Sequence, residues 1–246
     1  MVDKALRFLR SAVKIDKSLN WGREIVRETS RDLNLSGQSI VVDVGAGLGY
    51  DLSIIHSEYP LVTCHAIDYL EDRRTYFEHR GMVYHSINIE HESFPFSTSS
   101  VDLIIINQVL EHCKELFWIF HEVSRVLRIG GHVLIGVPNL ASLHNRILLL
   151  FGMQPTCIQV GSAHIRGFTH AGLCSFVVGT APQVYVQTKF VGGNFYPFPR
   201  AIARFLSHYL PNLSVSIFVV FRKTGNYSGE FLVATDGLET NFRISQ

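Results

Sequence analysis

Apolar positions recur along this chain with two different periods, and the switch between them repeats. Residues 40–44, 62–67, 82–87, 101–106 and 132–137 are short runs rich in Val, Ile and Leu, the pattern of strands. The run 101–106 is apolar almost throughout, as expected where both faces of a strand are buried. Between these runs, residues 52–59, 71–80 and 116–127 read as helices. The last presents Phe117, Phe120, Val123 and Leu127 on one face, with Gly130-Gly131 as its stop. Strands alternating with helices predict right-handed βαβ units around a parallel sheet.

The rhythm differs at both ends. Residues 3–34 read as helical, with Leu6, Leu9 and Val13 on one side and Lys4, Arg7, Arg10, Lys14 and Lys17 around them. Acids return at Asp16, Glu24, Glu28 and Asp32, so this is read as a solvated charged face rather than a surface for membrane or nucleic acid. After Pro138 the pattern loosens. Helices are expected at 140–151, 171–178 and 201–209, strands at 184–190 and 214–223, and a loop at 192–199. Residues 231–234 and 242–244, separated by Asp236-Gly237, read as a small hairpin. The resulting division is an N-terminal helical segment 1–37, a cofactor-binding core 38–140, an acceptor-pocket insertion with late strands 141–224, and a tail 225–246.

The first strand runs into Asp43-x-Gly45-x-Gly47-x-Gly49, directly before a helix. Glycines there let the backbone turn sharply and approach a ligand closely. Dinucleotide enzymes use G-x-G-x-x-G, with the pyrophosphate on the helix N-terminus. Here the third glycine of that pattern would fall at Tyr50. Asp43 also sits badly beside a pyrophosphate and well beside an ammonium or sulfonium, because opposite charges attract at short range in a cleft. S-adenosylmethionine (SAM) carries both cations and no phosphate; NAD is the competing ligand, and a tight turn without a ligand is the third reading. The second strand ends in Asp68, 23 residues after Gly45, where an acid can accept from both ribose hydroxyls. Tyr69 would then wall the adenine. Asn88 is placed to accept from its exocyclic amine with Ile89 packing on the ring, though an Asn in a turn explains position 88 equally well.

The segments Val41 to Gly49, His65-Ala-Ile-Asp68, Phe94-Pro-Phe96 with Val101-Asp-Leu-Ile104, Asn107-Gln-Val-Leu-Glu-His112 and Val126 to Gly131 resemble the ordered motifs of class I SAM-dependent methyltransferases, in particular the type 11 and ubiquinone-biosynthesis-like small-molecule group. The resemblance covers residues 35–140. It implies an α/β fold with a Rossmann-like seven-stranded sheet of order 3-2-1-4-5-7-6, the last strand antiparallel, and helices on both faces. It also places Ala46 and Asn107 among the SAM contacts. The chain departs from the family at Asn88, usually Asp, and at Gln108, often Glu or Ser.

Methyl transfer from a sulfonium needs alignment and a water-poor site rather than a protein nucleophile, although an oxygen or nitrogen acceptor can need a general base. Two of the twelve histidines stand out as candidate bases. His112 follows the fourth strand, at the end of the sheet where ligands bind. His164 lies in Ser162-Ala-His-Ile-Arg-Gly-Phe-Thr-His170, a segment similar to one that frames the acceptor pocket in the family. Arg166 either holds an anionic acceptor or orders its own loop. No H-E-x-x-H or comparable spacing is present, so no metal is expected.

Composition narrows the picture little further. Apolar residues make up 47% and charged residues 17%, and the net charge of +1 gives no support for a nucleic-acid partner. Four scattered cysteines argue against a disulfide framework and for a reducing compartment. No secretory signal is read at the start, and the longest apolar runs fall far short of a membrane helix, so a cytoplasmic protein is expected. The acceptor expected is a small molecule or glycan methylated on oxygen; Phe168, Tyr185, Phe190, Phe195, Tyr196 and Phe198 line up as acceptor or core residues. The alternatives are an RNA or protein methyltransferase and a SAM-binding module without turnover. Oligomeric state is not legible.

Overall fold

The computed structural model describes residues 22–33 and 35–235. In chain order the elements are helix α1 (Gly22–Asp32), β1 (Ile40–Val44), α2 (Tyr50–Glu58), β2 (Thr63–Asp68), α3 (Arg74–Glu78), β3 (Val83–Ser86), β4 (Val101–Asn107), α4 (Leu116–Val126) and β5 (Leu127–Pro138). They continue with α5 (Leu143–Leu150), α6 (His170–Thr180), β6 (Tyr185–Gly193), α7 (Arg200–Tyr209), β7 (Ser216–Lys223) and α8 (Glu230–Val233). The strands form one sheet of order β3-β2-β1-β4-β5-β7-β6. β7 runs antiparallel to both β5 and β6, and the remaining pairs are parallel. The expected sheet and its reversed strand are therefore present.

Alternation along each strand divides the core into two layers. Val42, Val44, Ile104, Ile106, Val133, Ile135, Val219 and Phe221 face α4, α6 and α8, through residues such as Phe120, Leu173 and Phe231. Val41, Leu103, Ile105, Leu134, Phe218 and Val220 face α1, α2, α3 and α7, through Val26, Leu52, Phe77 and Ala203. Strands covered on both faces read as unbroken apolar runs for this reason.

Three expectations are corrected. Gly130-Gly131 does not end the fourth-strand helix. α4 stops at Val126, and Leu127 already pairs with Val101. The glycines sit inside β5, where the register slips between Val101 and Leu103; a Cβ on Gly131 would lie 3.0 Å from the carbonyl oxygens of Arg128 and Asp102. Gly192 and Gly193 belong to β6 rather than to a loop. Phe231 is in the short helix α8, where it is buried against Phe120 and Phe176, so the first arm of the expected tail hairpin is helical. The second arm and the basic residues up to Lys17 lie outside the described residues. In the part of the N-terminal helix that is described, Ile25, Val26, Thr29 and Ser30 are buried, so α1 is a packed element as well as a charged one. No helix among the described residues is long and apolar enough to cross a membrane.

The late antiparallel strand is locked to the parallel half by a buried cation. Lys223, at the end of β7, donates from Nζ to the carbonyls of Ser124 and Leu127 at 2.7 Å each. These oxygens belong to the last turn of α4 and the residue after it, where helix carbonyls lack internal partners and a positive charge is favoured. Ser124 also meets the Tyr185 hydroxyl at 2.9 Å, which ties in β6. Lys223→Met keeps the packing but leaves both carbonyls unpaired. It should destabilise the fold by about 1–3 kcal/mol, read as a lower midpoint in thermal or urea unfolding.

Candidate cofactor cleft and the cluster beside it

The glycine loop is built by hydrogen bonds to the end of the neighbouring strand. Gly45 and Ala46 both donate their N–H to the Ile67 carbonyl, at 2.8 and 3.0 Å. Gly47 N–H donates to Asp68 Oδ2 at 2.8 Å. This path requires φ of +72°, +57° and +66° at Gly45, Gly47 and Gly49, a region that costs other residues about 1–2 kcal/mol. Space is limiting at two of the three. A Cβ on Gly45 would lie 2.5 Å from a Val109 methyl, and one on Gly49 would lie 2.5 Å from the Phe77 ring.

Two neighbouring cavities open at this loop, and Gly45 and Gln108 line both. The larger, about 560 Å³, is lined by Asp68, Tyr69, Ile87, Asn88, Ile89, Glu90, Val109, His112 and Cys113 as well. The smaller, about 230 Å³, is bounded by Arg23, Asp43, Ala46, Gly47, Tyr50, Asp51 and Asn107 among others. Both lie at the carboxyl ends of β1, β2 and β4, where parallel α/β sheets bind ligands. Of the residues expected at a cofactor, Asp43, Gly45, Ala46, Gly47, Asp68, Tyr69, Asn88, Ile89 and Asn107 all line one cavity or the other. Gly49 lines neither; its role is to start α2 and to admit Phe77.

The smaller cavity is acidic and incompletely satisfied. Asp43 is buried, and burial, with Asp51 and Asp68 nearby, pushes its carboxyl well above the usual carboxylate range. Burial raises Asp51 too, opposed by the Asn107 hydrogen bond and the Arg23 charge. Asn107 Nδ2 donates to Asp51 Oδ2 at 2.8 Å, which leaves Asp51 Oδ1 and Asn107 Oδ1 buried without a partner. Arg23 stacks on the Tyr50 ring, 3.9 Å from its centroid. The charged helix read as solvated thus delivers a residue to the site.

The larger cavity is lined by the residues expected at a nucleoside, with two adjustments. Asp68 Oδ1 accepts from Tyr69 N–H at 2.8 Å, and Oδ2 accepts from Gly47 and, at 3.3 Å, from Arg73. A carboxylate offers about four acceptor positions, so one remains open and a second is held only by the long Arg73 contact. Asn88 Oδ1 accepts from Glu90 N–H at 3.0 Å, so the turn reading of Asn88 is realised within the cavity wall. Cys113 is no nucleophile here, as burial pushes its thiol to about 12. All four cysteines are free.

The expected acceptor segment lies across the end of β4. Ile165 N–H donates to the Glu111 carbonyl at 2.8 Å. Arg166 donates to the carbonyls of Cys113 and Lys114 at 3.0 and 2.7 Å, so of its two readings the loop-ordering one holds. The packing brings His164 against His112, ring centroids 4.7 Å apart. Beside them Glu111 is 1% exposed, and its carboxylate oxygens have no hydrogen-bond partner outside Glu111 itself; burial raises its pKa. Of the aromatic residues considered for the acceptor, Phe168, Tyr185 and Phe195 are buried core, and Phe190 stacks on His170.

Sequence reasoning missed Arg23, Asp51, Val109 and Glu111, and saw Gln108 only as a departure. Asp51 carried a signal, an acid in the first turn of the helix after the glycine loop, but that also describes ordinary helix-dipole pairing. Gln108 adopts φ +58° and donates its N–H to the Gly136 carbonyl at 2.7 Å, which no local pattern foretells.

The fold and paired cavities define a Rossmann-like α/β domain with a cleft at the carboxyl ends of its parallel strands. Residues 42–135 match the family model described as a methyltransferase domain. A malonyl-[acyl-carrier protein] O-methyltransferase from Methylococcus capsulatus is 30% identical over 100 residues, 38% of this chain and 35% of that protein. The chain thus spans about a third of the length of the curated relative it matches. Among solved structures, a SAM-dependent methyltransferase from Archaeoglobus fulgidus superposes with a TM-score of 0.57 at 16% identity, covering 82% of this chain and 94% of that one. A chain of the complex between the Haloferax volcanii Trm112 methyltransferase activator and the putative methyltransferase gives 0.58 at 13% identity, covering 80% and 89%. Residues 42–135 are thus similar to a methyltransferase domain, and the sheet order β3-β2-β1-β4-β5-β7-β6 is that expected for the class I fold.

A carboxyl whose folded pKa is raised contributes stability below its unfolded value and loses it as pH rises through the folded value. Asp43 is therefore a liability to the ligand-free fold at neutral and alkaline pH. Asp43→Asn should raise the unfolding midpoint there, with the gain shrinking as pH falls from the raised folded value towards the ordinary aspartate range and absent below it. Thermal unfolding followed across pH checks it; a gain independent of pH would refute the assignment.

Proposed function

We propose that the protein transfers the methyl group of S-adenosylmethionine to an oxygen of a small molecule or glycan. The observation that carries the reading is the smaller cavity: buried Asp43 and Asp51, with unpaired acceptors on Asp51 and Asn107, beside a nucleoside-sized cleft. Unpaired buried acceptors are costly and call for a donor. An amino-acid ammonium next to a sulfonium supplies donors and positive charge together, whereas a pyrophosphate supplies neither. When bound, the cofactor supplies an electrophilic methyl group on sulfur.

The chain's own residues then divide by task. Asp43, Asp51 and Asn107, with the backbone of Gly45, Ala46 and Gly47, hold the amino-acid end. Asp68 takes the ribose hydroxyls, one on its open position and one in place of Arg73. Tyr69 and Ile89 face the base, and Asn88 meets its edge. Residues 141–224 close the acceptor end, 38–140 bind the cofactor, 1–37 contribute Arg23, and 225–246 form a tail whose Phe231 packs on the core. His112 and His164 stand at the acceptor end. Each is hydrogen-bonded through Nδ1 to a carbonyl oxygen, Ala163 and Cys157, so in the neutral rings Nε2 carries the lone pair. We assign the loss of the acceptor's proton to these nitrogens. The oxygen acceptor is also the class named for the Methylococcus relative. Free cysteines throughout suit a reducing, cytoplasmic setting.

Calorimetry with SAM and with NAD tests the cofactor: SAM should bind and NAD should bind far more weakly or not at all, and the reverse order overturns the reading. Asp68→Asn keeps an oxygen for the Gly47 N–H yet should weaken SAM by about tenfold or more. The acceptor is tested by incubating the protein and SAM with panels of phenols, sugars and carboxylic acids and looking for the mass gain of one methylene by mass spectrometry. A product methylated on carbon would overturn the oxygen assignment alone.

A further inference from the structure

We infer that Glu111, His112 and His164 form a binding site for a divalent transition-metal ion at the acceptor end of the cleft. The inference rests on the cofactor reading only for where that end lies. One ligand atom from each residue can be chosen so that all lie within 4.8 Å of one another. Ligands around a metal at about 2.0–2.2 Å stand roughly 3–4 Å apart, so the cluster is within a small side-chain adjustment of closing on an ion.

Two further observations point to a cation rather than to a chance grouping. The first is the carboxylate. Glu111 is 1% exposed, and among the described residues its carboxylate oxygens have no hydrogen-bond partner outside Glu111 itself. A buried carboxyl left in this state is expensive unless something positive or donating meets it. Arg166, two residues from His164, does not: its guanidinium is taken by the carbonyls of Cys113 and Lys114. Facing Glu111 are the two histidines, with the buried thiols of Cys113 and Cys157 nearby.

The second observation is the orientation of those rings. His112 Nδ1 lies 3.1 Å from the Ala163 carbonyl oxygen, and His164 Nδ1 lies 2.8 Å from that of Cys157. A carbonyl oxygen only accepts, so both Nδ1 atoms are the donors, and in the neutral rings both Nε2 atoms present lone pairs. Metal-bound histidines are held this way, with the second ring nitrogen donating to a carbonyl or carboxylate that fixes tautomer and orientation. One carboxylate with two imidazoles suits zinc, iron, manganese or cobalt; magnesium and calcium prefer oxygen-only shells.

Three protein ligands leave a position open, the arrangement of catalytic rather than structural sites. His112 lines the larger cavity, so that position borders it. An acceptor hydroxyl bound there ionises more readily: the O–H bond breaks, its electron pair stays on oxygen beside the cation, and the proton passes to solvent. In the metal-loaded protein the two histidines hold the ion through Nε2, and the proton-accepting role given to those nitrogens belongs to the metal-free protein. Spacing in the sequence hid the site, because His164 is 52 residues from His112 and the segment between contains all of α4, β5 and α5.

The test uses the full chain without a histidine tag, stripped with EDTA and titrated with Co²⁺, followed by visible absorption and by equilibrium dialysis. The expected result is one Co²⁺ per chain with ligand-field absorption, displaced by Zn²⁺. Glu111→Gln and His164→Ala should each weaken Co²⁺ by tenfold or more, while SAM calorimetry and circular dichroism match the parent. Absence of Co²⁺ binding by the parent, or binding that both variants retain, overturns the inference. Should a variant misfold, the number and type of nitrogen ligands seen by the parent's Co²⁺ spectrum decides in its place. Failure of the parent to bind SAM would instead sink the cofactor reading and leave the cobalt result standing by itself.

Discussion

The site depends on one junction, where the backbone after β1 turns onto the end of β2. Gly45 and Ala46 share the Ile67 carbonyl, and Gly47 reaches the Asp68 carboxylate. These bonds need left-handed backbone at Gly45 and Gly47, and room at Gly45 that only the missing side chain leaves beside Val109. Both cavities border that turn. It places Asp43 at the floor of the smaller cavity and Asp68 at the wall of the larger, with Gly45 bordering both.

The same junction explains why the free protein stores unfavourable electrostatics there. Asp43 and Asp51 are buried near each other and near Asp68, and burial raises both carboxyls. Strain of this kind at a site is expected where a ligand of opposite charge relieves it. The stability contributed elsewhere, by the two-layered core and by Lys223 bonding α4 to β7, offsets it.

The acceptor end follows a different logic. It is assembled from two stretches far apart in the chain, the turn after β4 and the segment around His164, joined by Ile165 on Glu111 and Arg166 on Cys113 and Lys114. Most of the region's aromatic residues went into the core instead of a pocket. That leaves polar and titratable groups, rather than a ring-lined slot, as the distinctive chemistry beside the cleft.

The sheet and the cofactor half were legible in the sequence because their signals are local. Buried parallel strands read as apolar runs, helix faces repeat at three and four residues, and a glycine loop between strand and helix has few other uses. Asp43, Asp68 and Tyr69 were found at fixed distances from that loop. What stayed hidden depends on contacts between distant segments. The strand pairing of Leu127, the helix at Phe231, Arg23 reaching Tyr50, the unpaired oxygens of Glu111 and the meeting of His112 with His164 are all set by packing, which carries no short-range periodicity. The sequence by itself determined the order of strands and helices and the loop that bears the nucleoside-type site. Only the tertiary structure decided which charges are buried together and which donors they lack, because burial and unpaired acceptors are properties of neighbours in space.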